Sequence, residues 1–272
     1  MLELEHGFRV VDVHARLHAG PEPPLRGRDV DAERLEREMH QAGVVRAVVF
    51  PGEQPGESGY VRANNAVARQ TVERPFVSFA RINGPRDPSG GTSARLRNFR
   101  ASRESFHTDP DDVEQYAYDD RFHGFRLHPP RDGLPDEETL DALSSVGLPV
   151  LVHAGERFPP AAAADALADR GFPVVLGHFG GHPLDRAKMA NSLDLLDTYD
   201  DLYLDTSAVR YRDILERGIT EHPDRVLFGS GTPAVHPDVA VMEILTLDVP
   251  EDLMARVFSK NPGRVVDALA EN

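Results

Sequence analysis

Eight short runs rich in Val, Leu, Ile and Phe recur along the chain, at 8–14, 45–50, 76–82, 123–128, 149–153, 174–178, 202–205 and 225–229. Segments of helical period separate them. This alternation predicts parallel strands joined by helical crossovers, because neighbouring parallel strands cannot be linked by a tight turn. Eight such units in 272 residues fit a single (β/α)8 barrel, which typically takes about 250 residues. An open doubly wound sheet is the rival. No linker-like stretch interrupts the rhythm, so one domain over residues 1–272 is expected.

The helical segments carry readable ends. In "DAERLEREMHQAG" Leu35, Met39 and Ala42 share a face and Gly43 stands as the C-terminal cap; in "DEETLDALSSVG" Leu140, Leu143, Val146 and Gly147 repeat the device. Pro183 and Pro262 read as first-turn prolines of later helices. The stretch 84–112, rich in Pro, Gly, Ser and Arg, reads as a long loop after the third strand. On a barrel it would rise over the mouth, where Arg95, Arg97, Arg100 and Arg103 could meet an anionic substrate; a solvated loop is the simpler reading.

The chain has no cysteine, which excludes disulfides, thiolate metal sites and a cysteine nucleophile. Its net charge of -15 argues against nucleic acid as a partner, because phosphate neutralisation needs a basic patch. Lysine is confined to Lys188 and Lys260 while arginine is plentiful, which suits either a high-salt surface or a GC-rich genome. No long apolar stretch predicts a membrane span, and the N-terminus lacks the pattern of a secretory leader, so a cytoplasmic location is expected.

Three histidines mark the candidate site. His14, His153 and His178 stand where the runs in "RVVDVHARLH", "LPVLVHAG" and "FPVVLGHFGG" give way to loops. In a parallel barrel such strand ends converge, and neutral imidazole is both a common metal ligand and a common general base. Asp205 in "YLDTS" is placed to orient a histidine or to bond its own loop through Thr206 and Ser207. His128 in "FRLHPP" ends the fourth strand toward the mouth or simply forms a turn. Arg126 lies deeper on the same face, where it should pair with a carboxylate. His182 and His236 fall on loops near the mouth, as substrate contacts or plain loop residues.

The order of "VVDVHARL", "FHGFRLHP", "LPVLVHAGE", "VVLGHFGGHP", "LYLDTSA", "RVLFGSGTP" and "NPGRVV" resembles the amidohydrolase-related family of metal-dependent TIM-barrel hydrolases, which also holds decarboxylases of the aminocarboxymuconate-semialdehyde and resorcylate types. The likeness runs over nearly the whole chain. It implies His14 and His153 as ligands of a divalent metal, zinc being the expected ion, and His178 as the residue facing substrate and assisting proton transfer.

Two positions depart from that pattern. Arg16 stands where the second histidine of a His-x-His pair is implied, and Gly231 where "GSDTP" would supply an aspartate. Strand alternation sets Asp12, His14 and Arg16 on one face, so Arg16 points into the site. A guanidinium offers no lone pair and repels a cation, whereas it clamps a carboxylate or phosphate well. An ion pair of Arg16 with Asp12 or Glu156 is the structural alternative.

The expected function is hydrolysis of a small carboxylated or cyclic compound at the strand-end histidines, with Arg16 and His178 carrying the chemistry. Decarboxylation and a metal-free, anion-binding barrel without turnover are the alternatives. Partners are expected to be small molecules or anions, and a homodimer fits the fold class.

Overall fold

The computed structural model describes residues 6–18, 30–54, 59–89 and 92–270. Eight parallel strands pair in sequence order: β1 (Val10–Leu17), β2 (Val44–Pro51), β3 (Phe76–Ile82), β4 (Phe122–Leu127), β5 (Val150–Gly155), β6 (Val174–His182), β7 (Leu202–Asp205) and β8 (Val226–Leu227). Helices α1 (Ala32–Gln41), α2 (Val61–Thr71), α3 (Thr92–Arg100), α4 (Pro110–Tyr118), α5 (Pro129–Asp132), α6 (Glu137–Val146), α7 (Pro160–Leu167), α8 (Arg186–Leu196), α9 (Arg212–Glu221) and α10 (Pro237–Leu245) lie between and after them. The chain following β8 closes the ring onto β1: Val13 N donates to Phe228 O (2.9 Å), Gly231 N to His14 O (3.0 Å) and Arg16 N to Thr232 O (2.8 Å). The architecture is the single (β/α)8 barrel.

Alternation along the strands builds two cores. Ala47, Val49, Ala80, Val150, Val152 and Leu204 point outward to the helices, while Val48, Phe50, Val77, Phe79, Leu151, Val175 and Leu227 fill the barrel interior with Leu269 from the C-terminal turn. Helix ends follow the side chains able to cap them. Asp31 accepts from Arg34 N ahead of α1, and Asp136 from Thr139 N ahead of α6. Gly43 (φ +70°) and Gly147 (φ +71°) supply the left-handed turn that ends these helices.

The stretch 84–112 is not a loop throughout, because it contains α3 and the start of α4. Asp109 and Asp112 form a reciprocal capping box around Pro110, which starts α4 within the stretch. Two of its arginines are turned to acids of their own surroundings instead of to a substrate. Arg97 pairs with Asp87, Arg103 pairs with Asp136 and Glu138, and Arg100 is exposed. The side chain of Arg95 lies outside the described residues.

Pro183 precedes a turn instead of opening a helix, because Asp185 caps α8 two residues later by accepting from Lys188 N. Pro262 does stand in the first turn of the helix at Asn261–Val265. Strand limits shift where pairing continues: β1 runs on to Leu17 beside Pro51, and β6 runs on to His182 beside Gly155, so His14 and His178 lie within strands. Among the described residues no helix is long and apolar enough to cross a membrane.

Burial also leaves a titrating mark. The Tyr116 phenol, packed beneath α4 and accepting from Asn64 Nδ2 (3.0 Å), is pushed up to about 12, burial outweighing that hydrogen bond. A folded-state pKa above the unfolded value stabilises the fold below about pH 10, and that stability is lost as pH rises toward 12. Denaturant titrations should therefore show Tyr116→Phe losing about 2 kcal/mol less than the parent between pH 9 and 12.

Candidate active site

A cavity of about 630 Å³ opens at the C-terminal ends of the strands. Its wall includes His14, Arg16, Arg126, His128, His153, His178, His182 and Gly231. Asp205 sits just below, fully buried against His14. His236 is not in that wall. It caps α10 by accepting from Asp238 N and lies 3.3 Å from the Asp238 carboxylate.

The strands deliver the histidines by breaking their own alternation. Val11 and Val13 face the barrel interior, yet a register shift between Asp12 and Ala15 turns His14 and Arg16 toward the cavity. Asp12 therefore does not share their surroundings. It is buried, accepting from Ser230 N (2.8 Å), Ser230 Oγ (2.5 Å) and His14 N (2.9 Å). On β6 the same effect comes from a left-handed backbone at His178 (φ +60°) and Phe179 (φ +51°). Such geometry costs a non-glycine residue about 1–3 kcal/mol and persists only where neighbours hold it. Here Asp205 Oδ1 and Ser207 Oγ accept from His178 N, at 3.0 and 3.2 Å.

Five imidazoles form a contiguous cluster, with ring centroids 4.1 Å apart for His128 and His153, 4.4 Å for His153 and His182, and 4.9 Å for His14 and His178. His14 Nδ1 lies 2.6 Å from Asp205 Oδ2, and His178 Nδ1 lies 3.0 Å from Ser207 O. Donation through Nδ1 leaves Nε2 of each ring with its lone pair. Burial comes first in keeping His128, His153, His178 and His182 neutral, and neighbouring cations add to it. His128 is pushed down to about 2 and His178 to about 3, while His153 falls further and His182 is lowered. Burial would raise Asp205, but the charge and hydrogen bond of His14 outweigh it and hold the carboxylate below its usual range.

Sequence reasoning left Arg81 aside. It lines the cavity from β3 and makes a paired contact to Asp132 Oδ2 through Nε (2.9 Å) and Nη2 (2.7 Å), with its guanidinium over the Tyr60 ring. A charged residue inside the apolar string "FVSFARI" was the available signal. Ser207, which touches both His14 and His178, carried no such mark. Arg126 is buried but, among the described residues, has no carboxylate within ion-pair distance. It donates to Leu127 O (3.0 Å) and Leu151 O (3.1 Å) and lies over the Phe50 ring. Arg16 pairs with neither Asp12 nor Glu156, since Asp12 is occupied by Ser230 and Glu156 is exposed at the rim.

The family model described as "Amidohydrolase" matches residues 11–268. The chain belongs to the amidohydrolase family. No curated protein sequence matches it. Among solved structures, this amidohydrolase is similar to 2,6-dihydroxybenzoate decarboxylase from Rhizobium, with 15% identity and a TM-score of 0.66 over 96% of this chain and 98% of that one. A probable 2-pyrone-4,6-dicarboxylic acid hydrolase from Acinetobacter baumannii, solved with citric acid, shares 16% identity at a TM-score of 0.61 over 94% and 98%. A dihydroxybenzoic acid decarboxylase from Polaromonas sp., solved with manganese and the inhibitor 2-nitroresorcinol, shares 16% at 0.65 over 95% and 96%. At these identities the likeness is one of fold.

The donor set of this amidohydrolase fits a divalent ion. Ring nitrogens of His153, His178 and His182 lie within 4.8 Å of one another, and buried His128 Nδ1 has no hydrogen-bond partner. Neutral imidazoles held in place by buried oxygens suit zinc or a similar cation, and three of them with an open position make a known catalytic set. Arg126 opposes the ion, and Gly231 offers it no carboxylate.

Proposed function

We propose that this amidohydrolase is a carbon-carbon lyase that removes a carboxylate from a small cyclic acid. One observation carries the reading. Among the described residues, Asp205 is held by His14, Asp12 by Ser230 and Glu53 by Arg131 (3.2 Å), and Glu156, though in the cavity wall, is exposed at its rim. Gly231 fills the remaining place beside the imidazoles. Hydrolysis asks a neighbouring base to take a proton from water and pass it on, whereas decarboxylation needs no attacking water.

The chemistry follows from the walls. Guanidiniums draw the acid into a cavity whose wall also carries the imidazoles, Phe50 and Pro183. The bond between ring carbon and carboxylate breaks, carbon dioxide leaves, and the electron pair stays on the ring carbon. His14, having taken a proton from solvent at Nε2, delivers it to that carbon and returns to the neutral ring, and Asp205 at Nδ1 stabilises the imidazolium that precedes transfer. A divalent ion held by His153, His178 and His182 would supply Lewis acidity toward the substrate's oxygens.

Ring hydrolysis is the second reading. The 2.6 Å contact between His14 and Asp205 favours it, because the same dyad could take a proton from water.

The test is a panel of benzoic, hydroxybenzoic and pyrone carboxylic acids assayed for carbon dioxide. At least one should release it, and His14→Asn should lower kcat by about 10²–10⁴-fold while binding persists. A product that has gained water and kept its carboxylate would replace this reading with the second. Binding of the panel without turnover would leave an anion-binding barrel.

A further inference from the structure

Granted that the cavity binds a carboxylate, as proposed for its function, the positive charge left over in its wall bears on how many carboxylates the substrate carries. Five guanidiniums line the wall, those of Arg16, Arg81, Arg126, Arg131 and Arg157. Two are compensated, Arg81 by Asp132 and Arg131 by Glu53. Arg157 sits with its neighbour Glu156 at the exposed rim. Arg16 and Arg126 remain, and among the described residues neither has a carboxylate within ion-pair distance.

Leaving two such charges uncompensated is costly. Arg126 is 3% exposed, and its solvation is replaced only by two carbonyls and an aromatic face. The chain carries a large excess of acid, with a net charge of -15, yet among the described residues Glu53 acts on Arg16, and Asp205 and Asp132 on Arg126, only from beyond ion-pair distance. Buried cations are ordinarily paired, so this arrangement is complete only when a ligand brings the missing anions.

We infer that the substrate is a dicarboxylate, one carboxylate held by Arg16 and the other approaching Arg126 beside the imidazoles. The two roles differ. Arg126 stands near His128, His153 and His182, so the carboxylate there is the one that leaves. An interaction that only stabilises the departing carboxylate binds the ground state and slows its loss, so anchoring must come from a part of the molecule that does not react. Arg16 faces the cavity from β1 beside Gly52 and supplies that anchor. The same group would hold the monocarboxylate product until it is released.

Titration calorimetry on the full chain tests this with benzoate, benzene-1,3-dicarboxylate and benzene-1,4-dicarboxylate as probes. One dicarboxylate should bind about 10–100-fold tighter than benzoate, the worth of one further charge-assisted contact. Arg16→Gln should collapse that ratio, measured within the variant, to within about threefold. Among the described residues the half-buried side chain of Arg16 makes no hydrogen bond, and its backbone bond to Thr232 O survives the substitution, which thermal melting of the variant checks. Equal affinities of the parent for benzoate and both dicarboxylates would overturn the dicarboxylate and leave the carboxylate site standing. Failure of all three to bind would overturn both.

Discussion

Asp205→Ala is expected to cost about 3–5 kcal/mol of unfolding free energy, the usual loss when one partner of a buried charged pair is removed. The carboxylate is fully buried and accepts from His14 Nδ1, His178 N, Ser207 N and Ser207 Oγ, so its removal orphans several donors at once. It also frees the left-handed backbone of His178, whose N–H it holds. For a chain of this size the melting temperature should fall by roughly 10 °C. Asp205→Asn keeps an acceptor and the shape but not the charge, and should fall between the two. The pH dependence has a definite sign. A carboxyl whose folded pKa is depressed adds stability above its unfolded value near 4, and that stability is lost as pH falls toward the depressed value. Denaturation at pH 7 and at pH 3 should thus show parent and Asp205→Ala far apart in the first case and closer in the second. Equal stability at pH 7 would mean that the dyad does not hold the site.

The paired change Arg16→His with Gly231→Asp is expected to raise affinity for zinc or manganese by about 100-fold. Arg16 lines the same cavity as the imidazoles, so removing its guanidinium relieves repulsion of a divalent ion there before any new ligand is counted. The aspartate adds an anionic donor where the chain after β8 passes His14. Its cost is local. Gly231 has φ +75°, and a Cβ there would lie 3.3 Å from that of Ser207, so the variant should lose about 1 kcal/mol of stability. Equilibrium dialysis with elemental analysis gives the answer. Unchanged metal affinity in a folded variant would mean that these two side chains do not govern the ion's seat.

The barrel was legible because its signals are periodic and repeated. Each apolar run became a strand, and the capping glycines Gly43 and Gly147 ended helices where the sequence placed them. Amidohydrolase membership was likewise written in ordered motifs spread along the chain. Local deviations were harder to read. Strict alternation would set Asp12 beside His14, but a register shift separates them. The backbone at His178 departs from strand geometry because Asp205 and Ser207, distant in sequence, accept its N–H. Ion pairs were the least visible. Nothing near Arg81 in the sequence points to Asp132, and nothing near Arg126 announces that no carboxylate meets it. Such pairings depend on which loops the barrel folds over its own mouth.

Deuterium and oxygen labelling of the turnover reaction separates loss of carbon dioxide from hydrolysis. With the best substrate of the carboxylic acid panel in deuterated water, carbon dioxide should leave with a product bearing one deuteron on the vacated ring carbon, and no oxygen should be gained from ¹⁸O-labelled water. A product that carries ¹⁸O and still retains every carboxylate would contradict decarboxylation.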